Sequence, residues 1–198
     1  VLQSSIRKTF QSMGYNEVIT YSFIDQSVAE LSKEENKKLI FVENPISQNM
    51  NVMRTSLLPS LLETLSYNIN QGSENIKIFE IGSVFRKNNS NKVDEREVGG
   101  GLITGVEGKD NWSGSNKAMD FFDLKGNIET VLPDSSKFTF KKGQISYLHP
   151  GKTAFLYKAQ TLVGYIGTVN PKLLDKFDIK NVVNFFEIDI NEISSNRS

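Results

Sequence analysis

Residues 57–71 carry the strongest constraint on what this chain can become. Leu57, Leu61, Leu65 and Ile69 recur at four-residue steps, and Leu58 and Leu62 widen the stripe. That spacing makes one broad apolar face of a helix. Ser56 is placed to cap it, and Pro59 falls in the first turn, where its missing N–H costs little. Gly72 is placed to end it. A face this wide has to pack on an apolar sheet. Residues 76–86 supply strand-type sequence directly after it, with Ile76, Ile78, Phe79, Ile81 and Val84.

The remaining pattern interleaves helices and strands. Leu2, Ile6, Phe10 and Met13 fall on one face of a first helix, with Gly14 as its stop. Residues 17–23 are rich in β-branched and aromatic side chains and read as a strand. A polar helix is predicted over 25–35 with Asp25 as N-cap, then a short strand at 39–42 and a loop at 44–47. Residues 88–95 read as a polar hairpin loop, and 98–106 as a glycine-rich return strand. Residues 108–117 read as loop and hold the single tryptophan, Trp112. Asp120 caps a helix whose face is Phe121, Leu124, Ile128 and Val131, and Pro133 ends it. Strands are predicted at 137–140, 153–159, 162–169 and 182–190, with a short helix from Pro171 to Phe177. This is an α+β pattern around a mostly antiparallel sheet. With neither repeat nor clean linker, residues 1–198 read as a single domain.

Composition narrows the function classes. The chain has no cysteine, which excludes disulfides, thiolate metal sites and a cysteine nucleophile. One histidine excludes a His-rich metal centre. Twenty-three basic residues balance twenty-three acidic ones, which argues against nucleic-acid binding by bulk charge while leaving room for a local basic patch. No apolar run has the length of a membrane span. The first residues lack a signal peptide's apolar centre, so the cytoplasm is the expected compartment and no membrane partner is expected. Val1-Leu2-Gln3 already stands in helical spacing, so the sequence reads as a piece of a longer chain. The Asn-x-Ser sequons at Asn88, Asn111 and Asn196 are read as chance.

Several motifs favour plain readings. Gly151-Lys152-Thr153 resembles the end of a phosphate-binding loop, but Ser146 stands where the loop's first glycine belongs. A turn after Pro150 is expected instead. The glycines at 99, 100, 101 and 105 do not match a nucleotide fingerprint, and glycine in a strand marks a bulge or a close backbone approach. Glu187 and Asp189 share one strand face and suit a metal or acid–base work, but a solvated strand face is the expected reading. His149 reads as a turn residue. Arg54, just before the leucine helix, is not favoured there by the helix dipole. It requires a specific partner, either an internal carboxylate or another chain.

Six segments in order carry a resemblance. They are Gly14-Tyr15-Asn16-Glu17-Val18-Ile19-Thr20-Tyr21-Ser22-Phe23; Asn44-Pro45-Ile46-Ser47 with Met53-Arg54-Thr55-Ser56-Leu57-Leu58-Pro59-Ser60-Leu61-Leu62; Ile78-Phe79-Glu80-Ile81-Gly82 with Val84-Phe85; Asp120-Phe121-Phe122-Asp123-Leu124-Lys125-Gly126; His149-Pro150-Gly151; and Gly164-Tyr165-Ile166-Gly167. Together they resemble the beta-subunit family of bacterial phenylalanyl-tRNA synthetases, in its catalytic-like core module. The resemblance implies the class II aminoacyl-tRNA synthetase fold, an antiparallel sheet flanked by helices. It implies an enzyme of two alpha and two beta chains that charges tRNA(Phe) with phenylalanine using ATP and magnesium, with the chemistry in alpha. Class II enzymes hold the phosphates with an Arg-x-Glu in one strand and a second arginine in a late glycine-rich stretch. With Glu80 set against that glutamate, the arginine slot falls on Ile78, and residues 182–190 contain neither glycine nor arginine. The resemblance therefore implies no catalytic, cofactor-binding or metal-binding residue in this piece.

The leading expectation is a non-catalytic assembly module that binds the alpha subunit. Leu2, Ile6, Phe10, Met13 and Arg54 are the candidate interface residues, and homodimerisation is expected when the partner is missing. A first helix folded back on its own sheet is the competing reading of the apolar stripe. Two other functions stay open. One is an RNA-binding module using Lys137, Lys141, Lys142 and Lys152. The other is a stand-alone class II-like ligase paralogue using Lys77 and Arg86.

Overall fold

The computed structural model describes residues 2–33, 38–45, 47, 49–87, 91–107 and 117–194. In chain order the elements are α1 (Leu2–Ser12), β1 (Asn16–Glu17), β2 (Phe23–Ile24), α2 (Gln26–Leu31), β3 (Ile40–Phe41), β4 (Val52–Met53), α3 (Leu58–Asn70), β5 (Ile76–Lys87), β6 (Val93–Thr104), β7 (Val106–Glu107), β8 (Lys117–Ala118), α4 (Phe121–Val131), β9 (Phe138–Lys142), β10 (Leu148–Lys158), β11 (Thr161–Val169), α5 (Pro171–Leu174), β12 (Asn184–Asp189) and α6 (Ile190–Ser194). Seven strands form the main sheet in the order β1-β5-β6-β12-β11-β10-β9. β1 runs parallel to β5, and the other pairings are antiparallel. The α+β reading holds, with a mixed rather than wholly antiparallel sheet. β2, β4 and β3 form a small separate sheet.

Strand alternation sends side chains to two cores. On one face Ile78, Leu102, Tyr165 and Phe185 pack under α3 through Leu57, Leu58, Leu61, Leu62 and Leu65. On the other face Phe79, Ile103, Phe186 and Ile188 meet Ile6 and Phe10 of α1 and Leu124 and Ile128 of α4. The glycines of β6 allow the close approach. A Cβ on Gly100 would stand 2.9 Å from Leu57 Cδ1, so the start of α3 rests directly on the backbone there. Gly14, at φ +82°, ends the turn after α1.

Local signals placed most elements. Asp25 caps α2, and Asp120 with Asp123 forms a reciprocal capping box on α4. Four expectations need correction. Residues 149–151 are not a turn, since β10 begins at Leu148 and runs through His149, Pro150 and Gly151. Residues 17–23 are not one strand: the ladder hydrogen bonds stop early, and Thr20 bonds the Glu80 side chain instead. β6 begins at Val93, inside the expected loop, because its polar outer half extends the ladder as far as Lys87↔Val93. β12 ends at Asp189, where Asp189 Oδ1 accepts from the N–H groups of Asn191 and Glu192 and turns the chain into α6. The sequons, Trp112 and most of the 108–117 loop lie outside the described residues.

Candidate functional site

The face of the sheet beneath α3 holds the buried ionic groups. Arg54 sits in the extended chain between β4 and α3, tied on both sides by its own backbone. Its N–H bonds Ser22 O at 2.9 Å, and its carbonyl accepts from Phe85 N at 2.9 Å. Arg54 is 1% exposed. Nη2 meets Glu80 Oε1 at 2.9 Å, Nη1 donates to Thr20 Oγ1 at 2.7 Å, and Nε donates to Ser83 O at 2.9 Å. Thr20 Oγ1 in turn donates to Glu80 Oε2 at 2.6 Å. Gly82 makes the space: a Cβ there would lie 2.5 Å from Arg54 Nη2. The partner of Arg54 is therefore an internal carboxylate, and its place among the interface residues is corrected.

A second buried carboxylate, Glu187 on β12, caps α3. Its Oε2 accepts from Leu57 N and Ser56 Oγ, both at 2.8 Å, while Oε1 accepts from Tyr165 O–H at 3.1 Å. Ser56 Oγ also accepts from Leu58 N at 3.1 Å. The helix therefore begins on a serine hydroxyl and a carboxylate together, as its orphan N–H groups and dipole favour. The expected solvated face at Glu187 is overturned, since the residue is 3% exposed. The signal was in the sequence. Val183, Phe185, Phe186 and Ile188 surround it, and a carboxylate inside a run apolar on both faces needs buried partners.

Burial is the larger influence and raises the Glu187 pKa above its ordinary 4.5, against the opposing pull of Arg86, the Leu57 N–H and the Ser56 hydroxyl. Burial also raises the Tyr165 phenol, with the Glu187 charge adding to the effect. A carboxyl raised in the folded state binds its proton more tightly there than in the unfolded chain. It adds stability below its unfolded value and loses it as pH rises through the folded one. The parent is expected to lose stability relative to Glu187→Gln as pH climbs from 4.5. Urea denaturation of both across a pH series measures this. A constant difference between the two would show that the carboxyl is not perturbed.

Beside this network an open cleft of about 530 Å³ lies on the same face. Its walls include Val84, Val98 and Phe155, and its charged lining is Arg86, Arg96, Glu187 and Asp189. Arg86 lies 3.8 Å from Glu187 Oε1, and its Nε and Nη2 reach Thr55 O at 3.4 Å. Arg96 is bridged to Asp94 at 2.8 Å. Two guanidinium groups thus face two carboxylates with no surplus of positive charge. The arginine slot falls on an apolar residue, Ile78. Ile78 is sealed under α3, and the arginine that β5 sends to the cleft is Arg86, eight residues on and on the same strand face. Lys77 points to the opposite face, 6.0 Å from the Tyr15 ring.

The first helix departs most from expectation. Ile6 and Phe10 are 1% and 0% exposed within their own chain. Phe10 stacks on Phe79 and Phe186 at 5.0 and 5.1 Å and meets the Tyr15 ring edge-on at 5.0 Å. Leu2 and Met13 are half-buried against the same cluster. The stripe folds back on its own sheet and is not a free surface, so Ile6 and Phe10 are corrected from interface to core. Two exposed apolar residues follow the helix instead, Ile19 at 93% and Tyr21 at 68%, with others elsewhere on the surface such as Phe122 and Tyr67.

The first helix leading to a parallel edge strand, the long antiparallel pair and the late strand running into a helix make one recognisable plan. Residues 1–190 match the family described as the phenylalanyl tRNA synthetase beta chain CLM domain. The chain belongs to this family. It is 38% identical over 195 residues to the phenylalanine–tRNA ligase beta subunit of Pseudoalteromonas translucida (strain TAC 125), covering 96% of this chain and 24% of that one. It is 40% identical over 178 residues to the same subunit of Haemophilus ducreyi (strain 35000HP / ATCC 700724), covering 88% and 22%. The CLM chain thus spans about a quarter of the length of these relatives. Its fold is similar to that of the pyrrolysyl tRNA synthetase PylSc from Desulfitobacterium hafniense, with a TM-score of 0.72 at 16% identity, over 97% of this chain and 66% of that one. That likeness carries the class II fold. No helix among the described residues is long and apolar enough to cross a membrane.

Proposed function

We propose that this CLM chain serves a phenylalanine–tRNA ligase by assembly rather than by chemistry. It holds the alpha subunit in an enzyme of two alpha and two beta chains in the cytoplasm. Alpha then joins phenylalanine to tRNA(Phe) with ATP and magnesium. The observation that carries the reading is the state of the cleft. Phosphoryl chemistry needs preorganised positive charge aimed at the phosphates. Here Glu187 is committed to the start of α3, Arg86 is held between Glu187 and the Thr55 carbonyl, and Arg96 is bridged to Asp94. The lining does not fit a nucleoside triphosphate, and no catalytic step is assigned to it.

The surface offered to alpha follows from the correction at the first helix. Segment 18–22 runs along the β1 edge of the sheet and is anchored inward by Thr20 on Glu80 and by Val18 N on Phe79 O at 2.8 Å. Ile19 and Tyr21 are left facing water. Large apolar side chains held on a rigid edge mark an interaction site. Ile19→Asp/Tyr21→Asp in the full-length beta subunit is expected to abolish co-purification with alpha while leaving the thermal midpoint within about 2 °C, as for surface changes. Undiminished capture by the double variant would overturn the assignment.

A further inference from the structure

Residues 137–158 carry Lys137, Lys141, Lys142, Lys152 and Lys158 and not one aspartate or glutamate, in a chain whose total charges cancel. The fold makes this stretch the β9–β10 hairpin, with β9 at the outer edge of the main sheet. Lys141 and Lys142 end β9, and Lys142 pairs in register with Ala154. The Gly143 N–H bonds Thr153 O at 3.0 Å, which holds Lys152 beside them at the same end of the hairpin. All three are exposed. Lys137 has a neighbour in Asp134 at 3.4 Å, and Lys158 donates to Ile193 O at 3.0 Å. Among the described residues no carboxylate lies within ion-pair distance of Lys141, Lys142 or Lys152.

We infer that the Lys141–Lys142–Lys152 end of this hairpin is a docking surface for the phosphate backbone of RNA. Lysine is depleted from protein–protein interfaces, whereas neutralising phosphates is the main source of affinity in nucleic-acid binding. Lys141 shares its sheet face with aromatic carbon, its Nζ 4.9 Å over the Tyr157 ring and Phe155 its cross-strand pair, while Lys142, next along the strand, faces the other side with Ala154, so the cations straddle the sheet edge. That combination of cations and π-faces suits a strand of bases and phosphates better than an acidic protein. The sheet order adds a geometric reason. β9 and β1 are the two opposite edges, so RNA on β9 leaves the Ile19–Tyr21 edge free for a protein. The identity of the RNA as tRNA(Phe) rests on the function proposed above, but the phosphate contact does not.

The test uses the full-length beta subunit, alone and assembled with alpha, and labelled tRNA(Phe) titrated by anisotropy over a salt series. Lys141→Glu/Lys142→Glu/Lys152→Glu is compared with Lys172→Glu/Lys176→Glu/Lys180→Glu, an equal charge change at other exposed sites. The hairpin variant is expected to bind at least tenfold more weakly at low salt. Its slope of log affinity against log salt should be shallower by about 2–3, at roughly 0.7–0.9 for each phosphate it no longer neutralises. The control variant should keep the parent's slope. An unchanged slope in the hairpin variant, or equal losses in both variants, overturns the inference and leaves these lysines as guards of an edge strand. If alpha fails to assemble with the parent, the assembly proposal falls, and the titration of beta alone still reads the lysines.

Discussion

Arg54→Met is expected to destabilise the chain by about 3–5 kcal/mol, the scale for breaking a buried ion pair from one side. The loss comes less from the attraction removed than from the charge left behind. Glu80 is 3% exposed and would keep the bonds from Thr20 while losing its cation. Ser83 O and Thr20 Oγ1 would lose their donors as well. Against a typical total of about 5–15 kcal/mol, that is a large share of the stability. The double change Arg54→Met/Glu80→Met should recover most of the loss, because apolar pairs of similar volume commonly match a buried ion pair. Chemical denaturation of the two variants and the parent checks both statements. A single variant within about 1 kcal/mol of the parent would show that Glu80 reaches solvent or another partner.

What could be read from the sequence was what local physics decides. The leucine stripe, the Asp25 and Asp120 caps and the Gly14 and Gly72 stops depend on neighbours a few residues away, and they sit where spacing placed them. The glycines of β6 were legible as close approach, but not what approached. Leu57 comes from forty-three residues earlier in the chain and meets Gly100 only because α3 crosses the sheet there. The buried polar groups were hidden for the same reason. Glu187 and Leu57 are 130 residues apart, and Arg54 and Glu80 are 26 apart. A carboxylate in an apolar run announces that it needs partners without naming them. Matching on Glu80 put an isoleucine, Ile78, in the arginine slot, and the fold seals it under α3. The fold instead uses the strand's period to bring Arg86 to the cleft, past the part of the strand that α3 covers.

The apolar stripe of the first helix is the case where amphipathicity alone had two solutions. A helix with one greasy face packs equally well, by pattern, on its own sheet or on another chain. The aromatic cluster decides it. Phe10 lies between Phe79 of β5 and Phe186 of β12, whose strands are both central, and Tyr15 closes the side. Phe10→Glu is therefore expected to unfold the protein, not merely to uncouple it from a partner. Losing the ring from a filled site costs about 3–5 kcal/mol. The carboxylate that replaces it stands among aromatic rings, with Lys77 held 6.0 Å from the Tyr15 ring and not against Phe10, so it adds several kcal/mol or must take up a proton to stay buried. The sum reaches the whole stability of an ordinary domain. Circular dichroism and near-ultraviolet spectra of the variant should show lost tertiary structure at temperatures where Ile19→Asp/Tyr21→Asp remains native. The contrast between the two variants is the informative measurement, since both place acid on apolar positions within about ten residues of one another. A folded Phe10→Glu chain that had lost only its partner would return the helix face to the interface. A folded Phe10→Glu chain beside an unfolded Ile19→Asp/Tyr21→Asp chain would reverse the roles of helix and edge segment altogether.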